Sequence, residues 1–249
     1  MKTTLALLAE LVLSAFFSYT ASAQDFTVKA QTIVRSQYVG FDDGLGLYPD
    51  PVVQGNVSLT HESGVFIDLW YSSGFNSRWA TDWDDELDYT VGWSEKVWSL
   101  DLTTSLSYFD NFSVGQVPYN DVIKWGVLLD FPKKEPFCWL SVTPFMSYSL
   151  YVIPDGNTPF EGGNVFALGA KTEVVLTEKT RLTSSTSIGF DDGCFGVKEG
   201  FILKHSSSLN RTLSPKLTWH ILEATGYFPL GNRDMPSQMV WGSGFSWTF

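Results

Sequence analysis

The chain has 249 residues and a formal net charge of −11 at pH 7, which argues against a nucleic-acid partner, since phosphate-backbone binding draws on an excess of Lys and Arg. Hydrophobic residues make up only 44% of it, yet 16% are aromatic, including 19 Phe and 10 Trp, a balance that suits interfacial aromatic girdles better than a soluble core. Beyond residue 24 no apolar run reaches the length of a membrane-spanning helix, so a membrane-embedded mature chain has to be a closed barrel.

The first element is an apolar run from Leu5 to Phe17, preceded by Lys2 and followed by Ala21-Ser22-Ala23, a small-x-small cleavage pattern. Residues 1–23 therefore read as a secretory signal peptide, with Gln24 opening the mature chain. From there to residue 249 no linker composition divides the sequence, and 24–249 reads as one outer-membrane β-barrel domain.

Period-two alternation recurs through that domain and helical periodicity does not. It predicts strands over 26–38, 51–61, 65–73, 86–94, 97–109, 121–131, 137–152, 163–176, 180–190, 196–209, 216–228 and 238–249. The class is all-β: a transmembrane antiparallel up-and-down barrel of about 12 strands, an even number as single-chain bacterial outer-membrane barrels require.

The connections sort by length. Tight turns are expected at His61–Gly64, Ser94–Lys96, Pro132–Pro136, Thr177–Lys179 and Leu213–Pro215. Between them fall mostly longer loops at 39–50, 74–85, 110–120, 153–162 and 229–237, with a short one at Asp191–Cys194. Turns on the periplasmic side and loops outside is the arrangement such barrels adopt. It also separates Cys138 from Cys194 by most of a membrane thickness, too far for a disulfide.

Alternation assigns faces too. Trp98, Leu100, Leu102, Leu106 and Tyr108 share one side of their segment, and Ile123, Trp125, Val127, Leu129 and Phe131 one side of the next. A barrel of this size has a lumen too wide for side chains to fill, so the apolar set faces lipid and the polar set faces in. The inward charges expected to line a pore are Lys29, Arg35, Asp68, Asp88, Asp101, Lys124, Asp130, Lys171, Glu173 and Arg181, with Lys198 and Lys204 on the same pattern. Charged rings of this kind set ion preference in a confined aqueous path, or pair across the lumen and help to plug it. In the closing strand Met239, Trp241, Phe245, Trp247 and Phe249 fall on the lipid face, and Phe245, Trp247 and Phe249 form a terminal aromatic pattern that resembles the signal read by the outer-membrane assembly machinery.

The residues Ser36-Gln37-Tyr38-Val39-Gly40, Val53-Gln54-Gly55, His61-Glu62-Ser63-Gly64, Trp70-Tyr71-Ser72-Ser73 and Glu86-Leu87-Asp88 with Gly92 resemble the TorF-type porin family, a conserved bacterial outer-membrane domain. The pattern departs from that family at Val39, which stands where it has an Arg, and near Asp68, where it has a Gly. The resemblance covers roughly a quarter of the chain and implies an outer-membrane barrel with a porin role and no established substrate.

Acidic residues crowd the loops: Asp42, Asp43 and Asp50, then Asp82, Asp84, Asp85 and Glu86, then Asp191 and Asp192. Neither FDDG stretch, at 41–44 and 190–193, continues into a Ca²⁺-binding loop, so solvated charge, bridged to lipopolysaccharide by divalent ions, is the plainer reading. No metal and no cofactor are expected. The one local cluster resembling catalytic machinery is His205-Ser206-Ser207-Ser208-Leu209-Asn210, expected near the periplasmic end of its strand, where a lipid hydrolase has no use for it. A non-enzymatic barrel is expected: a channel for passive diffusion of small hydrophilic solutes or ions. Its partners are outer-membrane lipid and lipopolysaccharide, the assembly machinery and the solutes. The alternative is a closed structural or adhesive barrel with ion-binding acidic loops.

Overall fold

A computed structural model describes residues 25–40, 45–75, 86–111, 121–154, 161–231 and 234–249. The expected signal peptide, the first FDDG stretch and Asp82, Asp84 and Asp85 lie outside the described residues.

The strands in chain order are β1 (Phe26–Arg35), β2 (Tyr38–Gly40), β3 (Leu45–Tyr48), β4 (Val52–His61), β5 (Val65–Gly74), β6 (Glu86–Val97), β7 (Leu100–Asn111), β8 (Val122–Asp130), β9 (Lys134–Phe137), β10 (Leu140–Val152), β11 (Gly163–Thr177), β12 (Thr180–Asp191), β13 (Gly200–Ser214), β14 (Leu217–Leu230) and β15 (Gln238–Thr248). Twelve of them form a closed antiparallel barrel in sequence order, and β1 seals the ring by pairing with both β4 and β15. Closure matters energetically because hydrocarbon offers backbone N–H and C=O groups no alternative partner. The remaining three are accessory: β2 and β3 make a hairpin within the first loop, and β9 folds back on the start of β10.

The seam between first and last strands is tight. At Gly244, opposite Ile33, an added Cβ would lie 2.0 Å from the Thr32 carbonyl oxygen, and at Gly242 2.5 Å from that of Val34. Glycine at these inward positions lets β15 dock against β1. Phe249 extends the seam by donating its N–H to the Val28 carbonyl, at 2.9 Å.

Both faces follow the alternation. Outward side chains are large and apolar, including Val57, Leu69, Leu106, Leu168, Ile188, Leu222 and Trp241, all exposed. Inward positions carry Gln54, Ser72, Ser107 and Ser149, all buried. The sign of that preference is set by lipid: a Lys or Arg on the outer face near the bilayer midplane costs about 2–4 kcal/mol. The chain therefore has the fold of a membrane-spanning barrel, and the apolar belt is what bilayer contact requires.

Several boundaries differ from expectation. The turn expected at Ser94–Lys96 lies instead at Trp98-Ser99, because β6 continues with Lys96 opposite Asp101 and Val97 opposite Leu100. Trp98 is thus not part of a lipid-facing strand face; it sits at the hairpin tip with φ 57° and 91% exposed. The turn expected at Pro132–Pro136 is displaced to Cys138-Trp139, since β9 pairs back onto β10. The strand expected from 196 begins at Gly200, which leaves Lys198 in a loop instead of on the inner wall. Cys138, exposed in a turn, and Cys194, buried in a loop of the opposite end, are not joined by a disulfide.

Candidate functional site

The barrel interior is the chemically distinctive region. It holds a cavity of about 650 Å³ lined largely by hydroxyls, among them Ser141, Thr143, Thr183, Ser185, Ser206 and Ser208, with Arg35, Lys171, Glu173 and Glu223 interspersed. These positions meet because β10 to β14 lie side by side and every second residue points inward. Small side chains on neighbouring strands leave the space open.

The charges in this wall are matched. Arg35 donates to Glu223 at 3.0 Å. Lys171 donates to Asp130 at 2.7 Å, and Arg181 to Glu173 at 2.6 Å. His220 lies 3.4 Å from Glu223 through Nδ1, and its ring also meets Asn210 at 2.7 Å and Ser246 at 3.0 Å. One side of the lumen is thus a continuous polar network crossing β1, β13, β14 and β15.

The remaining expected lining residues are distributed around the ring. Lys29 is opposite Ser58 and Thr248, and Asp68 lies between Ser58 and Thr90. Asp101 faces Asp130 across β7 and β8. Lys124 and Lys204 stand over the rings of Tyr151 and Tyr227, at 5.5 and 5.1 Å. Asp88 is buried beside Glu86 near the loop end. Phe245 and Trp247 are neighbours on the outer face, where Phe245 also stacks on Trp219 with centroids 6.3 Å apart. Phe249 is exposed at the turn end.

Strict alternation cannot place both His220 and Glu223 on the lumen side. A register shift between His220 and Glu223 inserts a bulge in β14, so two residues of opposite parity both reach the lumen. The misfit of Glu223 in the face pattern is the sequence signal of that bulge.

Two loop segments fold over the end of the lumen opposite the turns. In the first, the β2–β3 hairpin inserts Tyr38 and Tyr48 against Val52, with Leu47 and Trp70 packed around them. The Tyr38 hydroxyl donates to Glu86. Burial, then the nearby Glu86 and Asp88, hold the phenol well above its ordinary pKa, so it remains a donor. In the second, a 3-10 turn at Cys194–Gly196 seats Cys194 and Phe195 on Val122, Tyr151 and Val165, with Phe195 edge-on to Tyr151 at 5.0 Å. The loop expected to be the shortest is therefore a built cover for the mouth.

Asp191, Asp192 and Cys194 bring ligand-type atoms within 4.8 Å of one another, but the carboxylates are already engaged. Asp191 Oδ1 accepts the N–H groups of Gly193 and Cys194 at 2.9 and 2.8 Å, and Asp192 accepts two bonds from Asn164, each 2.6 Å. Those bonds shape the turn.

No family model matches the sequence, and no curated protein does so. Solved structures are similar in fold. The NanC porin aligns with a TM-score of 0.55 and 10% identity over 88% of this chain and 98% of its own. The KdgM porin aligns at 0.52 and 8% over 90% and 99%, and it has also been solved in complex with disordered oligogalacturonate. The translocator domain of the autotransporter NalP from Neisseria meningitidis aligns at 0.53 and 11% over 99% and 96%. At these identities the likeness is one of architecture: the chain has the closed twelve-stranded antiparallel fold of outer-membrane β-barrels.

Proposed function

We propose that the chain is a bacterial outer-membrane channel for passive diffusion of small hydrophilic solutes, with uncharged, hydroxyl-bearing solutes favoured over ions. The observation that carries this reading is the inner wall, where Ser and Thr surround a cavity of about 650 Å³ and Arg35, Lys171 and Arg181 each meet a carboxylate. Matched charges cancel much of the field that would sort ions, while hydroxyls exchange hydrogen bonds with a hydroxylated solute at little net cost. The porin fold of the structural neighbours and the TorF-type residues between Ser36 and Gly92 support the same direction.

On this reading the short turns and both chain ends lie on the periplasmic side, and the hairpin and 3-10 turn cover the outer mouth. Phe245, Trp247 and Phe249 serve delivery by the assembly machinery, with lipid and lipopolysaccharide around the apolar belt. The covered mouth also favours a second reading, a closed structural barrel. Proteoliposome swelling separates them. With the folded chain incorporated, vesicles should swell in a pentose or hexose faster than protein-free vesicles and progressively more slowly in di- and trisaccharides. Swelling no faster than in protein-free vesicles, even in the smallest sugar, would favour the closed barrel.

A further inference from the structure

The outer face of the barrel carries a polar cluster that the channel does not use. On β12 and β13, Thr186 stands opposite His205 and Ser184 opposite Ser207. Each is one residue out of phase with the inward Ser185 and Ser206, so alternation turns all four side chains to the lipid side; Thr186 and His205 are exposed, and Ser184 and Ser207, half-buried, also border the cavity. His205 lies nearer the loop end of β13 than its turn end, which corrects the expectation that placed it near the periplasm. Phe201 and Ile188, both exposed, flank the cluster towards the loops, and Leu222 does so towards the turns. It therefore sits within the apolar belt.

The contacts are those of a nucleophile, a base and an orienting group. Ser207 Oγ is 2.9 Å from His205 Nε2, and His205 Nδ1 is 2.8 Å from Thr186 Oγ1. Ser184 Oγ is 3.0 Å from Ser207 Oγ, placing a further hydroxyl beside the nucleophile. Across the adjoining strands the facing positions are the small Ala170, Ala224 and Gly226; the Phe228 ring lies over Gly226, and His205 nonetheless stays exposed. An imidazole and hydroxyls in the lipid-facing belt cost stability that apolar residues would not. Ionisable groups at such depth characteristically mark functional sites.

We propose that Ser207, His205 and Thr186 form a lipid-facing hydrolytic site that cleaves carboxylic esters of glycerophospholipids in the leaflet nearer the loops. Nδ1–H donated to Thr186 leaves the Nε2 lone pair free to accept the Ser207 proton. Ser207 Oγ attacks the ester carbonyl carbon, and the proton passes to Nε2. The tetrahedral intermediate collapses by breaking the bond to the glycerol oxygen, which takes that proton and leaves as lysophospholipid. Water, deprotonated by the same nitrogen, then attacks the acyl-serine, releasing a fatty acid and restoring Ser207. A hydroxyl orients the imidazole but supplies no full charge to stabilise the imidazolium, so turnover is slow compared with an Asp-supported triad. Thr186 is a positioning residue.

The test uses the full mature chain folded in phosphatidylethanolamine/phosphatidylglycerol vesicles, with heat-modifiable gel mobility as the folding control. A lipophilic fluorophosphonate should label the folded barrel at Ser207, as located by peptide mass spectrometry, and fatty acid should accumulate. His205→Ala should lower both rates by about 10²–10⁴-fold, and Ser207→Ala should abolish labelling there. Thr186→Val should reduce kcat more than KM and displace the pH profile, with Thr186→Ser restoring both. Absence of Ser207 labelling in the folded native barrel overturns the proposal without recourse to any variant. So does ester cleavage unchanged by His205→Ala, or a cross-linked second copy occupying this face with no labelling.

Discussion

Exchanging Tyr38 and Tyr48 together for serine is expected to raise single-channel conductance several-fold while the barrel stays folded. Both rings are buried against Val52 at the loop end of the lumen, where Tyr38 also meets Trp70 at 5.6 Å. Burying a large apolar side chain contributes about 1.5–3 kcal/mol, so two of them hold the hairpin seated. The Tyr38 hydrogen bond to Glu86 adds about 0.5–1.5 kcal/mol. Tyr38→Phe removes that contact alone, leaves the apolar anchor, and should give brief openings in place of a stable larger state. The twelve barrel strands pair without the hairpin, so folding should survive. Planar-bilayer recordings of the single and double variants check this, and unchanged conductance in the double variant would remove the hairpin from the path.

The second large effect concerns ion preference. Glu223→Gln should shift the reversal potential in a KCl gradient towards chloride, because it leaves the Arg35 guanidinium unmatched beside the cavity. Arg35→Gln should shift it towards potassium, and the double variant should return close to the parent. Both side chains are mostly shielded, at 26% and 15% exposure. Leaving one without its partner should therefore also cost about 1–3 kcal/mol of stability, measurable as a lower unfolding midpoint in denaturant. The lower part of that range is expected, since lumen water can solvate the remaining charge. A double variant no closer to the parent than either single one would mean that the two groups do not act as a pair.

Much of this architecture is legible in the sequence because the bilayer enforces the period-two rule strictly. Charges leave the lipid face, so alternation in 97–109 and 121–131 names the faces of β7 and β8, and turn spacing gives the strand order. What escapes is local. The β14 bulge changes parity between His220 and Glu223, and a period count has no means of registering one inserted residue. Trp98 reads as lipid-facing by alternation, yet it takes the left-handed conformation of a hairpin tip. The β2–β3 hairpin and the Cys194–Gly196 turn look like loops because their order comes from contacts with distant strands, Val52 in one case and Tyr151 in the other. His205 and Ser207 share a strand face in the sequence, but Thr186, which completes the relay, is brought by the β12–β13 register. Pairing within the lumen is non-local in the same way: Arg35 finds Glu223 only through closure of β1 on β15.

Single-channel recording of the purified native chain in a planar bilayer is the most direct test of a solute-conducting lumen. Stepwise, uniform current increments on insertion, with weak discrimination between potassium and chloride and a conductance reduced by small neutral polymers that enter the pore, are the predicted result. A barrel that inserts, keeps its heat-modifiable fold and passes no current in the native chain or in the Tyr38→Ser/Tyr48→Ser variant would contradict it.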